Sequence, residues 1–151
     1  MAFEVEVPTL DIYTGRWKWS RDTAVYTNPN HADLWLARDQ EVIVKGRNMR
    51  MTTKESYKDG SVRTWVWDGA FDGVPRLMRF QDTGETELQI AFIIIAENVG
   101  GDVYQSGPTS PGGQFRGAEH FVLTRDNVKV WGSMSAQGQQ ASYFEEWFRV
   151  E

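Results

Sequence analysis

The chain has 151 residues, no cysteine, and a net charge of −5 from 16 basic and 21 acidic residues. That length fits one domain spanning 1–151, large enough to bury a core without disulfides or a metal staple. The missing thiols exclude thiolate metal centres, thiol nucleophiles and a disulfide framework, and the acidic balance argues against a nucleic-acid partner.

Seven Trp, five Tyr and eight Phe leave two readings open. One is a large aromatic core; the other is a pocket for a flat or apolar ligand. The N-terminus carries acids where a leader would carry basic residues, so no cleaved signal is expected. The longest apolar run, 90–96, is too short to span a bilayer. These features predict a cytoplasmic protein with no membrane insertion.

The first strand-like segment is Gly15-Arg16-Trp17-Lys18-Trp19. Pro29 and a neighbouring Asn then predict one short helix over 30–37. From residue 49 the pattern alternates. Met49, Met51, Thr53, Glu55 and Tyr57 share one face, and Arg50, Thr52, Lys54, Ser56 and Lys58 the other. Asp59-Gly60 supplies a hairpin turn, and 61–68 returns as a Val- and Trp-rich strand.

Asp-Gly turns within 69–73 lead to a short strand at 76–81 and an apolar strand at 86–96. A turn at 98–102 precedes a short strand at 103–106. Residues 107–113, with Pro108 and Pro111, are a candidate lid or a plain connection. Strands at 115–124, 128–134 and 141–150 complete the chain. Short, evenly spaced strands predict a sandwich or barrel. The two aromatic-rich ends, 15–19 and 143–150, are expected to pair and so close the sheet.

Gly15-Arg16-Trp17 resembles the Gly-x-Trp signature on the first strand of lipocalins and related calycin barrels. Arg149 sits where those families place an Arg over the Trp ring, a cation–π contact worth about 0.5–2 kcal/mol. The opening Leu10-Asp11-Ile12-Tyr13-Thr14-Gly15-Arg16-Trp17-Lys18, the turn Phe71-Asp72-Gly73-Val74-Pro75 and the close from Tyr143 to Arg149 are similar to small bacterial lipocalin-like domains. The resemblance implies an all-β fold: a closed up-and-down antiparallel β-barrel of eight to ten strands. Haem-binding calycins typically begin Gly-x-Trp-x-Gly, and Trp17-Lys18-Trp19 lacks the second Gly. No cofactor and no metal is therefore expected. Fold alone does not name a ligand.

Candidate site residues follow from alternation. Glu119 and His120 are adjacent, so one of them should face inward; an inward His120 would be a natural general base. Glu55 lies on the apolar stripe and would be its acid/base partner if that stripe faces a lumen. His31 reads as a surface or capping residue, and at most one of Glu145 and Glu146 points inward. Arg116 could orient a ligand oxygen, and Met51, Tyr57, Trp65, Trp67, Phe92, Phe121 and Trp131 are the cavity-wall candidates.

These residues suit binding of a hydrophobic small molecule. The alternative is a cofactor-independent lyase, dehydratase, isomerase or cyclase acting on an apolar or aromatic metabolite. A third reading is an interaction domain with a filled barrel. Aromatic-rich barrels often dimerise, and a homodimer is left open, with no contact face identified.

Overall fold

The structure is a computed structural model that describes residues 9–84, 86–109 and 112–150. After a 3-10 turn at Asp11–Tyr13, the strands are β1 (Gly15–Trp19), β2 (Val25–Tyr26), β3 (Trp35–Lys45), β4 (Asn48–Tyr57), β5 (Val62–Ala70) and β6 (Arg76–Leu77). They continue as β7 (Arg79–Phe80), β8 (Gln89–Ala96), β9 (Gly100–Pro108), β10 (Gln114–Leu123), β11 (Asn127–Ala136) and β12 (Gln139–Val150). One four-residue helix, α1 (Pro29–Ala32), lies between β2 and β3. All twelve strands join one sheet in the order β6-β8-β9-β10-β11-β12-β1-β3-β4-β5-β7, with β2 also on β12. The count exceeds the expected eight to ten.

Two physical causes account for the difference. The 76–81 run splits at Met78, because Arg76 and Leu77 pair with β8 while Arg79 and Phe80 pair with β5. Tyr26 and Val25 add a short strand against Tyr143 and Phe144. The split also nearly closes the barrel, since β6 and β7 are the two ends of the sheet and only Met78 separates them. The Met78 N–H donates to the Leu88 carbonyl at 2.9 Å and the Gln81 N–H to the Thr64 carbonyl at 2.8 Å.

The expected meeting of the ends is present. In β1 and β12, Trp17 lies opposite Arg149 and Trp19 opposite Trp147. The Arg149 guanidinium carbon stands 4.3 Å from the centre of the Trp17 ring. The guanidinium also donates to the carbonyls of Ile12 (2.5 Å), Thr14 (2.9 Å) and Arg125 (2.5 Å). Gly15 is required at this point. A Cβ there would stand 2.2 Å from the Arg149 Nη1, and its φ is +151°. Leu10, Trp17, Val42, Met49 and Trp67, all nearly or fully inaccessible, fill this end of the barrel.

The other end is shaped by two departures from the expected pattern. The helix stops at Ala32 instead of reaching 37. Asn28 caps it by accepting the Asn30 N–H at 3.0 Å, with Pro29 at its first position. Beyond it the chain must extend to pair Trp35 with Tyr57, and a register shift falls between Trp35 and Ala37. Such a bulge re-aims side chains. It lets Trp35 and Arg38, three apart, both face the lumen, with Gln40, Val42 and Val44 following at period two.

The predicted turn at 98–102 is also shorter than expected, because β9 begins at Gly100. Gly100 and Gly101 sit inside the ladder, where a Cβ would meet the Phe121 and Ile93 carbonyl oxygens at 2.0 and 2.1 Å. Of the candidate lid 107–113, residues 110 and 111 lie outside the described residues.

Candidate functional site

A cavity of about 440 Å3 occupies the end of the barrel opposite the Trp17 plug. Its wall is mostly apolar: Leu34, Trp35, Met78, Leu88, Phe115 and Met134 contribute. Below it lies a chamber of about 80 Å3 lined by Tyr13, Met51, Phe92, Val103, Phe121 and Val128 among others. Arg38, Trp65, Ile90, Gln105, Glu119 and Glu145 touch both spaces. They form the layer between the cavity and the chamber.

That layer is a charged cluster inside an aromatic cage. The Arg38 guanidinium carbon lies 3.9 Å from the centre of the Trp35 ring, 4.8 Å from Trp147 and 5.8 Å from Trp19. Arg38 Nε donates to Glu55 Oε2 at 3.1 Å, and Nη1 donates to both oxygens of Glu145 at 3.1 and 3.2 Å. Burial works against this cation, but Glu145 and Glu55 outweigh it and hold its pKa above the usual value. Glu55 also accepts from Trp65 Nε1 at 3.0 Å and from the Tyr57 hydroxyl at 3.3 Å. Glu145 accepts from the Tyr26 hydroxyl at 2.9 Å.

Glu119 is the third carboxylate, and Arg38 does not pair with it. Its one hydrogen bond among the described residues comes from the Tyr143 hydroxyl. Desolvation, then the nearby Glu145 charge, push its pKa up to about 7, against the opposing pull of Tyr143 and Arg38. Gly132 makes this contact feasible. It lies between Glu119 and Tyr143 in the sheet, and a Cβ on it would stand 2.3 Å from the Tyr143 Cζ. The missing side chain lets the Tyr143 ring lie across β11 and reach Glu119.

A strap closes part of the cavity. Tyr26 and α1 bring His31 against Tyr26 (4.3 Å between ring centres), Tyr143 (5.3 Å) and Trp35 (5.5 Å). His31 is buried, not the surface residue the sequence suggested. Burial lowers its pKa, although Glu145 opposes the effect, so the ring is neutral near pH 7. Its Nδ1 has no hydrogen-bond partner among the described residues.

The adjacency of Glu119 and His120 resolves in favour of Glu119. His120 points outward, half exposed, with Nδ1 2.7 Å from Asp102 Oδ1. Trp131, its neighbour across β10 and β11, is 45% exposed and stacks on Phe144 on the outer face. Arg116 likewise lies on the outside of the barrel. The inward phase of β10 and β11 is the reverse of the one that would place these three at a lumen. The β4 and β5 stripes do face in, so Met51, Glu55, Trp65 and Trp67 are buried.

The chamber walls include Met51, Trp65, Phe92 and Phe121. Trp67 serves packing, with its Nε1 donating to the carbonyls of Arg76 and Ile90 at 3.1 Å each. Tyr57 is a half-buried support for Glu55. Sequence reasoning missed Arg38, His31 and the Glu119–Tyr143 pair as site residues. Among the described residues there is no group of side chains suited to a metal ion, and no helix long and apolar enough to cross a membrane.

The near-closed antiparallel barrel, its Gly15-x-Trp17 entry and the Arg149 stack give the chain a lipocalin-like appearance. No family model and no curated protein matches the chain. Among solved structures it is similar to lobster apocrustacyanin A1, at 11% identity and a TM-score of 0.42, over 93% of this chain and 61% of that one.

Proposed function

We propose that the protein binds a hydrophobic small molecule in the cavity between the strap and the charged layer. The observation that carries this reading is the cavity itself. About 440 Å3 lies within the range of small-molecule sites, and apolar walls surround a few convergent polar groups. Native mass spectrometry of the purified protein, followed by extraction and identification of any bound compound, tests the reading. An apolar metabolite at one per chain supports it. An empty protein whose Trp fluorescence does not respond to any apolar probe sinks it.

Glu119 favours a second reading: a cofactor-independent lyase, dehydratase, isomerase or cyclase. A carboxyl with a pKa of about 7 is poised to take and return a proton near neutral pH. In this scheme Glu119 replaces His120 as the acid/base group, with the Tyr143 hydroxyl orienting it. The Glu55 oxygens are committed to Arg38, Trp65 and Tyr57 and support the layer. Turnover of the extracted metabolite that disappears in Glu119→Gln while binding persists supports the enzyme. Turnover unchanged in Glu119→Gln removes Glu119 from it.

A further inference from the structure

We propose that the ligand of this cavity carries a cationic amine, held by Glu119 with His31 and Gln105 as further acceptors. The inference rests on the cavity being a ligand site, and it adds the chemistry of the head group. Three carboxylates, Glu55, Glu119 and Glu145, face one guanidinium. Arg38 is occupied on its edge by Glu55 and Glu145 and on its faces by Trp35 and Trp147. These pairs use its Nε and Nη1, and its Nη2 carries no hydrogen bond among the described residues. The carboxylates are two charges in excess of the guanidinium, and Glu119 is the one that takes no part in the Arg38 pairs, with one phenol for a partner.

A second observation points the same way from another element. His31, on the strap, lines the same cavity and is nine-tenths buried, and its Nδ1 is unpartnered among the described residues. Burial keeps the ring neutral, so it can accept a hydrogen bond. Tyr143 connects the two groups: its hydroxyl reaches Glu119 and its ring packs edge-on to His31. Gln105 adds a side-chain amide to the floor, and that amide makes no hydrogen bond among the described residues. Trp35 Nε1 and Arg38 Nη2 are donors without a partner among the described residues at the same site, but the excess of negative charge lies with the carboxylates, and a group with several N–H donors and a positive charge meets both Glu119 and the His31 Nδ1.

The walls suit the same ligand. Trp35, Tyr143 and Phe115 ring the cavity, and an ammonium near aromatic faces gains cation–π attraction. An anionic ligand would meet Glu119 and Glu145, with only the Nη2 edge of a guanidinium already paired to two carboxylates to receive it. A neutral ligand would leave Glu119 holding its proton and would gain nothing from its charge.

Three probes with a common ring test the proposal: 2-(1-naphthyl)ethylamine, 2-(1-naphthyl)ethanol and 1-naphthylacetate, titrated by calorimetry at pH 7. The expected order is amine at least tenfold tighter than alcohol, and the acid weakest. Binding of the amine should also release protons as Glu119 ionises, read as an enthalpy that depends on the buffer's ionisation heat. The alcohol should show no such dependence. In Glu119→Gln the amine should fall to the alcohol's affinity.

An alcohol that binds as tightly as the amine overturns the amine assignment and leaves the cavity reading intact. Failure of all three probes overturns both. An amine preference that survives Glu119→Gln removes Glu119 from the site. The wild-type comparison and the proton release decide the question even where that variant fails to fold.

Discussion

Replacing Glu119 with glutamine should change how stability depends on pH. Glu119 keeps its proton in the folded chain to about pH 7, against the usual 4.5 for an exposed carboxyl. The folded state therefore binds this proton more tightly than the unfolded state. The resulting stabilisation is fully present below pH 4.5 and is lost as pH rises through about 7. At ~1.4 kcal/mol per tenfold in the proton equilibrium, the whole effect is about 3 kcal/mol, of which roughly 2–3 kcal/mol falls between pH 5 and pH 8. The amide of the Glu119→Gln variant would keep an oxygen for the Tyr143 hydroxyl but could not titrate. Urea unfolding of both proteins at pH 5, 6, 7 and 8 isolates the contribution, because His31 and the exposed groups are common to both. Relative to wild type, the variant should gain roughly 2–3 kcal/mol across that range. Parallel stability curves would show that Glu119 titrates normally, and the reasoning about its burial would fail.

Arg38→Met should cost about 3–5 kcal/mol, since it strands the Glu55 and Glu145 side chains, 8% and 6% exposed, without a counter-charge. Adding Glu55→Gln and Glu145→Gln should recover at least half of that in thermal or urea unfolding. A mild single variant would mean that water reaches the layer. Gly132→Ala should force the Tyr143 ring off β11 and break its bond to Glu119. The Glu119 titration, followed by carboxyl NMR, should then move above its wild-type midpoint, and an unmoved midpoint would show that the ring accommodates the methyl. His120→Ala should change stability by about 0.5 kcal/mol or less and leave probe affinity unchanged, because its pair with Asp102 lies outside the barrel. A large loss of affinity would put His120 back at the site.

What could be read from the sequence was whatever depends on period and on local chemistry. The alternation from Met49 to Tyr57 identified a stripe that is indeed inward, and Glu55 with it. Gly15, Trp17 and Arg149 were legible because the contact between them demands those residue types. The inward phase of β10 was not legible. Glu119, Phe121 and Leu123 alternate against His120, Val122 and Thr124, and polar and apolar residues occur on both faces. Only the register against β9 and β11 chooses between them.

Arg38 was hidden by the bulge after Trp35, because a strict period of two would put those residues on opposite faces. His31 was hidden by distance. Its burial depends on Tyr143, more than a hundred residues away, and on β2 lying against β12. One signal was available: Glu145 and Glu119 both lie on strands between inward apolar residues, which is an unusual place for two acids.

The placement of the charged layer also bears on what the barrel is for. A lumen built only to be filled would be at least as stable with apolar side chains in this layer, since a buried ion pair seldom repays its desolvation. Here Arg38 and its two carboxylates keep one negative charge in excess, but both carboxylates are bonded to the guanidinium, which is also stacked on its faces. Glu119 has no such cation. Its burial costs stability at neutral pH, and its position beside an open cavity means that the cost is recoverable only by something entering that cavity. A neutralising ligand would return as binding free energy what the empty protein loses in stability. Saturation with such a ligand should therefore remove the loss of stability between pH 5 and pH 8. A ligand that only fills the apolar walls should raise stability equally at every pH and leave that slope in place.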